Sequence, residues 1–375
     1  MNQGLNIRIF AHSWVSDWNH GNAHFLRGLA RILVRAGSNV RCYEQLGSWS
    51  LSNLVRHEGE RAIDAIDHFR KIFPELDIRF YNLDHTLSAF LLRELRGADV
   101  VLVHEWSDPV LVNAILALKQ QLGFYVLLHD THHRALSDPR ELLRFHLHLF
   151  DGVLAFGEPI ARIYRDGFGM ERVWTLHEAA DIENFKPLPA EKTHDLLWIG
   201  NWGDEERTRE LSEFLIQPAM ELNGRTKVHG VRYPEEAKQA LADAGIEFAG
   251  YLPNLRAPEA YAASALTVHI PRRHYANGLS GIPTIRVFEA LACGTPLVCA
   301  PWEDAEGLFR PGEDYLVARD GAHMAALLRE LLADEGARRQ MAANGLETLR
   351  RRHTCEHRAE QLLGICAELA EEVAA

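Results

Sequence analysis

"PTIRVFEALACGTPLV", residues 283–298, decides how the chain is built. Ile285, Phe288 and Ala292, with Val287 and Leu291 beside them, recur at the three-and-four spacing of a helix that buries one side. Pro283 is placed to open that helix and Gly294 to close it. Beyond the glycine, "TPLVCAP" is a short apolar run between prolines, the pattern of a buried strand. Helix, tight turn and strand make the repeating unit of an α/β sheet. One carboxylate, Glu289, interrupts the apolar helix three residues after Arg286, on the same face and near the helix's positive end. Either the two form a solvated ion pair worth under about 1 kcal/mol, or the carboxylate has a task.

The same alternation runs through the chain. Seven strand candidates fall in the first half: "NIRIFAHS", "NVRCYEQ", "DIRFYN", "ADVVLVHEW", "FYVLLHDT", "DGVLAFG" and "RVWTLHEA". Helical segments that end in glycine, such as "HFLRGLARILVRAG" and "DPVLVNAILALKQQLG", separate them, which predicts a mostly parallel, doubly wound sheet. A polar stretch with two prolines, "HEAADIENFKPLPAEKTHD", follows. The pattern then restarts with "LLWIGNW", "TKVHGVRY", "IEFAGYLP", "ALTVHIPRR", "TPLVCAP" and "DYLVARD", a second sheet of the same kind. From Gly321 the chain reads helical to its end, with Thr354 as N-cap of a last helix over about 354–372. The expected domains are 1–184 and 185–375, the last helix packing back on the first. Two such domains facing each other leave a cleft where strand C-termini converge, the default ligand site.

Composition narrows the class. A chain of 375 residues, 47% hydrophobic, has material for two cores. Its net charge of −12 argues against a nucleic-acid groove or an anionic membrane as principal partner. The five scattered cysteines have no zinc spacing and look like reduced core thiols. "MNQGLNIRIFAHSW" enters a strand without a charged leader and a long apolar run, and no window approaches a transmembrane segment. The expectation is a cytoplasmic protein.

"RVFEALACGTPLV", "GLFRPGEDYLVARD" and "RRHTCEHRAEQLL" together resemble the C-terminal half of glycosyltransferases with the GT-B fold, specifically the spore-maturation CgeB-like group within the family 4-like transferases. "WNHGNAHFLRGLARILVRAGSNVRCYE" is similar to that group's glycine loop and first helix, and "HEAADIENFKP" to its interdomain linker. The resemblance implies two Rossmann-like domains, the first on the acceptor side and the second binding the nucleotide sugar. It further implies transfer of a hexosyl or N-acetylhexosaminyl group from a nucleoside diphosphate donor, a UDP-sugar, to a hydroxyl acceptor, with retention and without metal. The acceptor class stays open among glycan, lipid-linked sugar, protein and small molecule. The nucleotide sugar is a substrate, so no cofactor is expected. Related retaining enzymes carry two glutamates eight positions apart. Glu289 fills the second place, and the first is Gly281. That departure keeps two rivals in view, a nucleotide-sugar epimerase on the same fold and a non-catalytic GT-B module.

Residue by residue, the resemblance makes Glu289 the acceptor for ribose hydroxyls, since an ionised carboxylate takes two hydrogen bonds side by side. The turn "GIPTIR" aims the amides of Thr284 and Ile285 and the Arg286 guanidinium at a diphosphate. "IGNWGDEER" occupies the place of the family's phosphate turn, with Gly200, Asn201, Trp202 and Gly203 in the turn and Arg207 adding charge. Arg272 and Arg273 end another strand, and Asn277 is a polar group able to stand in for the missing glutamate. Tyr251 and Leu252 match the family's base-binding turn. In the first domain, His129 is the candidate for contact with the donor sugar, with Asp130 next to it. Gly21 permits close approach in the glycine loop, Asp17 or Asp130 is the base if the reaction inverts, and Glu105 is a strand-end carboxylate on the acceptor side. "LLHDTHHR" is rich in histidine, yet no helically spaced partner set completes a metal site.

Overall fold

The computed structural model describes residues 4–203 and 205–374; residues 1–3 of the N-terminal reading and Asp204 of the phosphate turn lie outside the described residues. Contacts group the chain into two units, one running to Glu178 and resuming at Cys355, the other Ala179–Thr354. The grouping changes at the start of the polar stretch that follows the seventh strand.

The first unit is a sheet of β1 (Asn6–Phe10), β2 (Asn39–Gln45), β3 (Asp77–Tyr81), β4 (Val100–His104), β5 (Tyr125–Asp130), β6 (Gly152–Ala155) and β7 (Val173–Thr175), in the order β3-β2-β1-β4-β5-β6-β7. Every pair is parallel, as the alternation predicted. The strand order reverses between β1 and β4, where a doubly wound sheet opens a crevice at its C-terminal edge. β4 is buried at every position because helices cover both faces of a parallel sheet. Two helices illustrate the crossovers. α1 (Ala23–Arg35) follows β1, and α2 (Pro109–Leu122) follows β4. The Asp108 side chain accepts the Val110 amide at 2.8 Å, Pro109 occupies the first turn of α2, and Gly123 ends it at φ +73°.

The second unit repeats the plan with β8 (His194–Ile199), β9 (Thr226–His229), β10 (Glu247–Phe248), β11 (Ser264–His269), β12 (Leu297–Cys299) and β13 (Leu316–Val317), ordered β10-β9-β8-β11-β12-β13 and parallel throughout. Trp198, Phe214, Leu241, Leu266, Val268 and Leu328 belong to its core. The opening stretch forms α3 (Ile285–Ala292), Gly294 at φ +64°, then β12. Pro283 lies just outside the helix it was expected to open, because Thr284 after it is still extended (φ −78°, ψ 162°) and is itself the cap. α4 (Gly321–Ala333) and α5 (Glu335–Arg352) follow, capped by Asp320 and Asp334. The last helix, α6 (Cys355–Ala374), returns to the first unit. Its Cys355 thiol lies 3.8 Å from the Phe25 carbonyl in α1, while Arg358 and Gln361 donate to the carbonyls of His177 and Thr175 at 2.8 and 2.7 Å. All five cysteines are buried and unbridged. Among the described residues no helix is long and apolar enough to cross a membrane.

Leu362, fully buried on α6, tests how far α6 belongs to the first unit. Leu362→Ala is expected to cost about 2–5 kcal/mol, and native-state hydrogen exchange is expected to show the loss in α1 and the seven-stranded sheet. Equal loss of protection in β8 and β11 contradicts the grouping.

Candidate functional site

In the second unit, positive charge gathers where β8 and β11 end. Arg207 spans the gap: Nη1 donates to the Ile270 carbonyl (3.2 Å) and Nη2 to the carbonyl and side-chain oxygens of Asn201 (2.9 and 2.5 Å). Arg272 reaches the same Asn201 oxygen at 3.3 Å while pairing with Glu206. Burial first, and then the fields of Arg272 and Arg286, lower the Arg207 pKa to about 9. Glycine is required in the turn that brings this about. A Cβ on Gly203 (φ +91°) would lie 2.5 Å from Arg207 Cγ, and one on Gly200 2.5 Å from the Trp198 ring. Trp202 packs against the core beside Tyr233.

Glu289 is wholly buried, so its pairing with Arg286 is not the solvated one that spacing alone allows. Asn254 Nδ2 donates to Oε1 at 3.2 Å, and Tyr261 Oη donates to Oε2 at 3.1 Å beside the Arg286 bond. Burial works against the Arg286 charge, but Glu289 and Tyr261 outweigh it and hold the pKa above the usual arginine value. His269, the last residue of β11, bonds through Nε2 to the Thr284 hydroxyl (3.0 Å), and burial lowers its pKa to about 3. Ile285, buried, is the first residue of α3. Gly281 sits at φ +100° with Ala305 Cβ 2.8 Å from where its own Cβ would be, so no glutamate fits there. Arg273 turns to Glu210 (3.0 Å), and Asn277 is exposed at the end of the short helix Arg273–Asn277. Tyr251 and Leu252 are half-buried in the loop after β10.

In the first unit, the ends of β1, β4 and β5 bring histidines together at the switch point. His12 and His20 have ring centroids 3.9 Å apart, His12 and His104 5.3 Å, and His104 and His129 5.8 Å. Burial lowers His12 and His129 to about 4 and His20 and His104 well below the usual imidazole value, so all four are neutral at pH 7. His12 Nδ1 and His129 Nε2 are among the buried ring nitrogens with no hydrogen-bond partner among the described residues. Two carboxyls lie beneath them. Asp130 takes the Tyr164 hydroxyl (2.7 Å) and the His132 amide (2.9 Å), and burial raises its pKa to about 6. Glu105, wholly buried, is raised well above the carboxylate range by burial and then by Asp130. His104 Nδ1 receives the Trp106 amide (3.4 Å), and Glu105 Oε2 lies 3.0 Å from that nitrogen. His104 Nε2 then donates to Thr131 Oγ1 (2.9 Å), which also accepts from Asn22 (2.8 Å).

The structure thus unites Gly200, Asn201, Gly203, Arg207 and Arg272, with Arg286 close enough to act on Arg207, and separately clusters His129, Asp130 and Glu105. Asp17 is tied to buried Arg27 at 3.0 Å, and Gly21 lies in the turn just before α1. The sequence reading passed over His12, His20, His104, Tyr164, Asn254, Tyr261 and His269. A signal for three of them was present: "RIFAH", "VVLVH" and "LTVH" are apolar runs that end in histidine. Among the described residues no group of three or more His, Cys, Asp or Glu side chains is arranged to hold a metal ion.

Residues 207–364 match a family model described as glycosyl transferase-like. No curated protein matches the chain. Among solved structures, the chain is similar to a glycosyltransferase from Rickettsia africae (TM-score 0.69, 10% identity, 99% of each chain covered). It is also similar to Anabaena HepE in complex with UDP and glucose (TM-score 0.68, 15% identity, 97% of this chain and 100% of that one). A third is sucrose-phosphate synthase from Thermosynechococcus elongatus (TM-score 0.66, 13% identity, 98% and 100%). The chain has the GT-B fold, as its motifs implied.

The raised carboxyls fix a sign for pH dependence. Asp130 holds its proton more tightly folded than unfolded, so its contribution to stability is complete below about pH 4 and is lost as pH rises through about 6. Asp130→Asn keeps an oxygen for the His132 amide, turns its own amide nitrogen to the Tyr164 hydroxyl, and removes the titration. Relative to wild type, the variant is expected to gain stability steadily between pH 4 and 7 in urea titrations at fixed salt. A difference that does not change with pH contradicts the assignment.

Proposed function

We propose that this chain is a glycosyltransferase that moves a hexosyl or N-acetylhexosaminyl group from a UDP-sugar to a hydroxyl acceptor, with retention and without a metal. The observation that carries the reading is the clustering of Arg207, Arg272 and Arg286 at the strand ends and the start of α3, in a chain of net charge −12. Arg272 is paired with Glu206 and Arg286 with Glu289, whereas Arg207 bonds to the neutral oxygens of Asn201 and Ile270, so an added anion gains most beside Arg207. A diphosphate is such an anion, and the resemblance of "IGNWGDEER" and "RVFEALACG" to the family's phosphate turn and nucleotide helix supports it. HepE in complex with UDP and glucose is a similar fold holding such a ligand.

The chemistry proposed is front-face displacement. The bond between the sugar's anomeric carbon and the β-phosphate oxygen breaks, the acceptor oxygen bonds to that carbon, and the acceptor proton passes to the departing phosphate oxygen. UDP leaves. The arginines stabilise the charge that develops on the diphosphate. Glu289 keeps the family role of ribose acceptor, and its bonds from Asn254, Tyr261 and Arg286 fix the orientation of the carboxylate. His129, neutral and with Nε2 unpartnered, suits a sugar hydroxyl. Asp17 is already committed to Arg27, which fits a route that needs no protein base.

The direct test is thermal unfolding with UDP and a panel of UDP-sugars. UDP at 100 times its dissociation constant is expected to stabilise the protein by about 2.7 kcal/mol, and Arg207→Gln to weaken UDP by at least about tenfold, the loss of a charged hydrogen bond. A protein indifferent to every nucleotide sugar is not this enzyme. His129→Ala is expected to lower the transfer rate by at least about tenfold while UDP affinity stays within about threefold, since its partner is the sugar. Parallel loss of UDP affinity moves His129 out of the sugar half.

A further inference from the structure

Thr284 is the N-cap of α3, the position at which a threonine hydroxyl ordinarily accepts an amide from the helix's first turn. Here the side chain makes no capping bond. Its Oγ1 is drawn instead to His269 Nε2, 3.0 Å away at the end of β11. The Thr284 carbonyl takes the Val287 amide at 3.0 Å, which leaves the amides of Ile285 and Arg286, ahead of any acceptor within the helix, without a cap. His269 is 1% exposed, its ring set edge-on to Trp302 with centroids 6.0 Å apart, so packing holds its orientation. Its other nitrogen, Nδ1, is buried with no partner among the described residues.

Both features disfavour the ligand-free fold. A capping bond is given up, and a buried ring nitrogen goes unpaired. An anion at the helix start reverses the balance, because exposed amides and the helix dipole favour negative charge there. Arg207 Nη1 donates to the carbonyl of Ile270, the residue after His269, so the positive cluster and the uncapped amides share one neighbourhood.

We propose that His269 is a positioning residue: it pulls the Thr284 hydroxyl out of the capping position and so keeps the first amides of α3 open for the donor's diphosphate. This rests on the donor reading above and adds to it the residue that prepares the helix end.

The test uses the full chain, with calorimetry against UDP and inorganic pyrophosphate and with hydrogen exchange at Ile285 and Arg286 in the absence of ligand. His269→Leu frees the hydroxyl to cap. It is expected to slow exchange at Arg286 by about tenfold and to weaken both ligands by about tenfold. Adding Thr284→Val removes the competing hydroxyl and is expected to return both readouts to within about threefold of wild type, as is His269→Gln, whose amide still reaches Oγ1. His269→Phe replaces the leucine variant if that one does not fold. Unchanged exchange in His269→Leu, or a double variant as weak as His269→Leu alone, overturns the proposal. If exchange responds as stated while wild type binds neither ligand, the donor reading falls instead.

Discussion

A parallel strand ends where its crossover begins, and every following helix starts near that edge. This constraint places strand C-termini and helix N-termini together in both units, and with them the backbone's unpaired amides. In the first unit the edge carries His12, His104 and His129 from three adjacent strands. In the second it carries Asn201, His269 and the start of α3. The interior of the central strands could not collect polar groups in this way, because a strand such as β4 is buried at every position.

That geometry explains why the architecture was legible and much of the site was not. Thirteen strands follow from short runs rich in apolar and aromatic residues bounded by turn residues, most plainly where a strand such as β4 is buried at every position. Arg207 and Arg272 were found because charge at a strand end is conspicuous. His269 was not, for the bond that gives it a role, to Thr284, is a tertiary contact that no local pattern encodes. Gly281 shows the opposite case. Sequence marked it as a missing glutamate, whereas φ +100° and the nearby Ala305 show a backbone that only glycine suits, so the loop is built differently and not merely stripped of a side chain.

The buried polar groups divide by charge. Around Glu289, opposite charges are paired and every carboxylate oxygen has a donor, an arrangement that seldom adds much net stability but is costly to break by half. Around Glu105 the charge is reduced instead: burial keeps Glu105 protonated and the imidazoles neutral, which leaves Asp130, raised to about 6, as the one group of these that ionises near neutral pH. Neutral imidazoles and a carboxyl suit hydroxyl groups, and clustered arginines suit phosphate. The two units therefore offer different chemistry from the same sheet design.

The helix caps carry this division down to single bonds. Ser48, Asp108, Asp320 and Asp334 each accept an amide of the helix they begin, and those helix ends are closed. Thr86 does not cap, but its hydroxyl goes to Asp84 in an exposed turn where water can serve the amides. Asn22 and Thr284, the caps of α1 and α3, are diverted to Thr131 and His269, partners buried at the ends of neighbouring strands. In each unit a helix that starts beside the polar cluster has a cap residue whose side chain bonds to a strand end and not to the helix. Local sequence preference at Asn22 and Thr284 favours closure, and tertiary contacts override it, which is the conflict between levels expected where function and not stability selects the conformation.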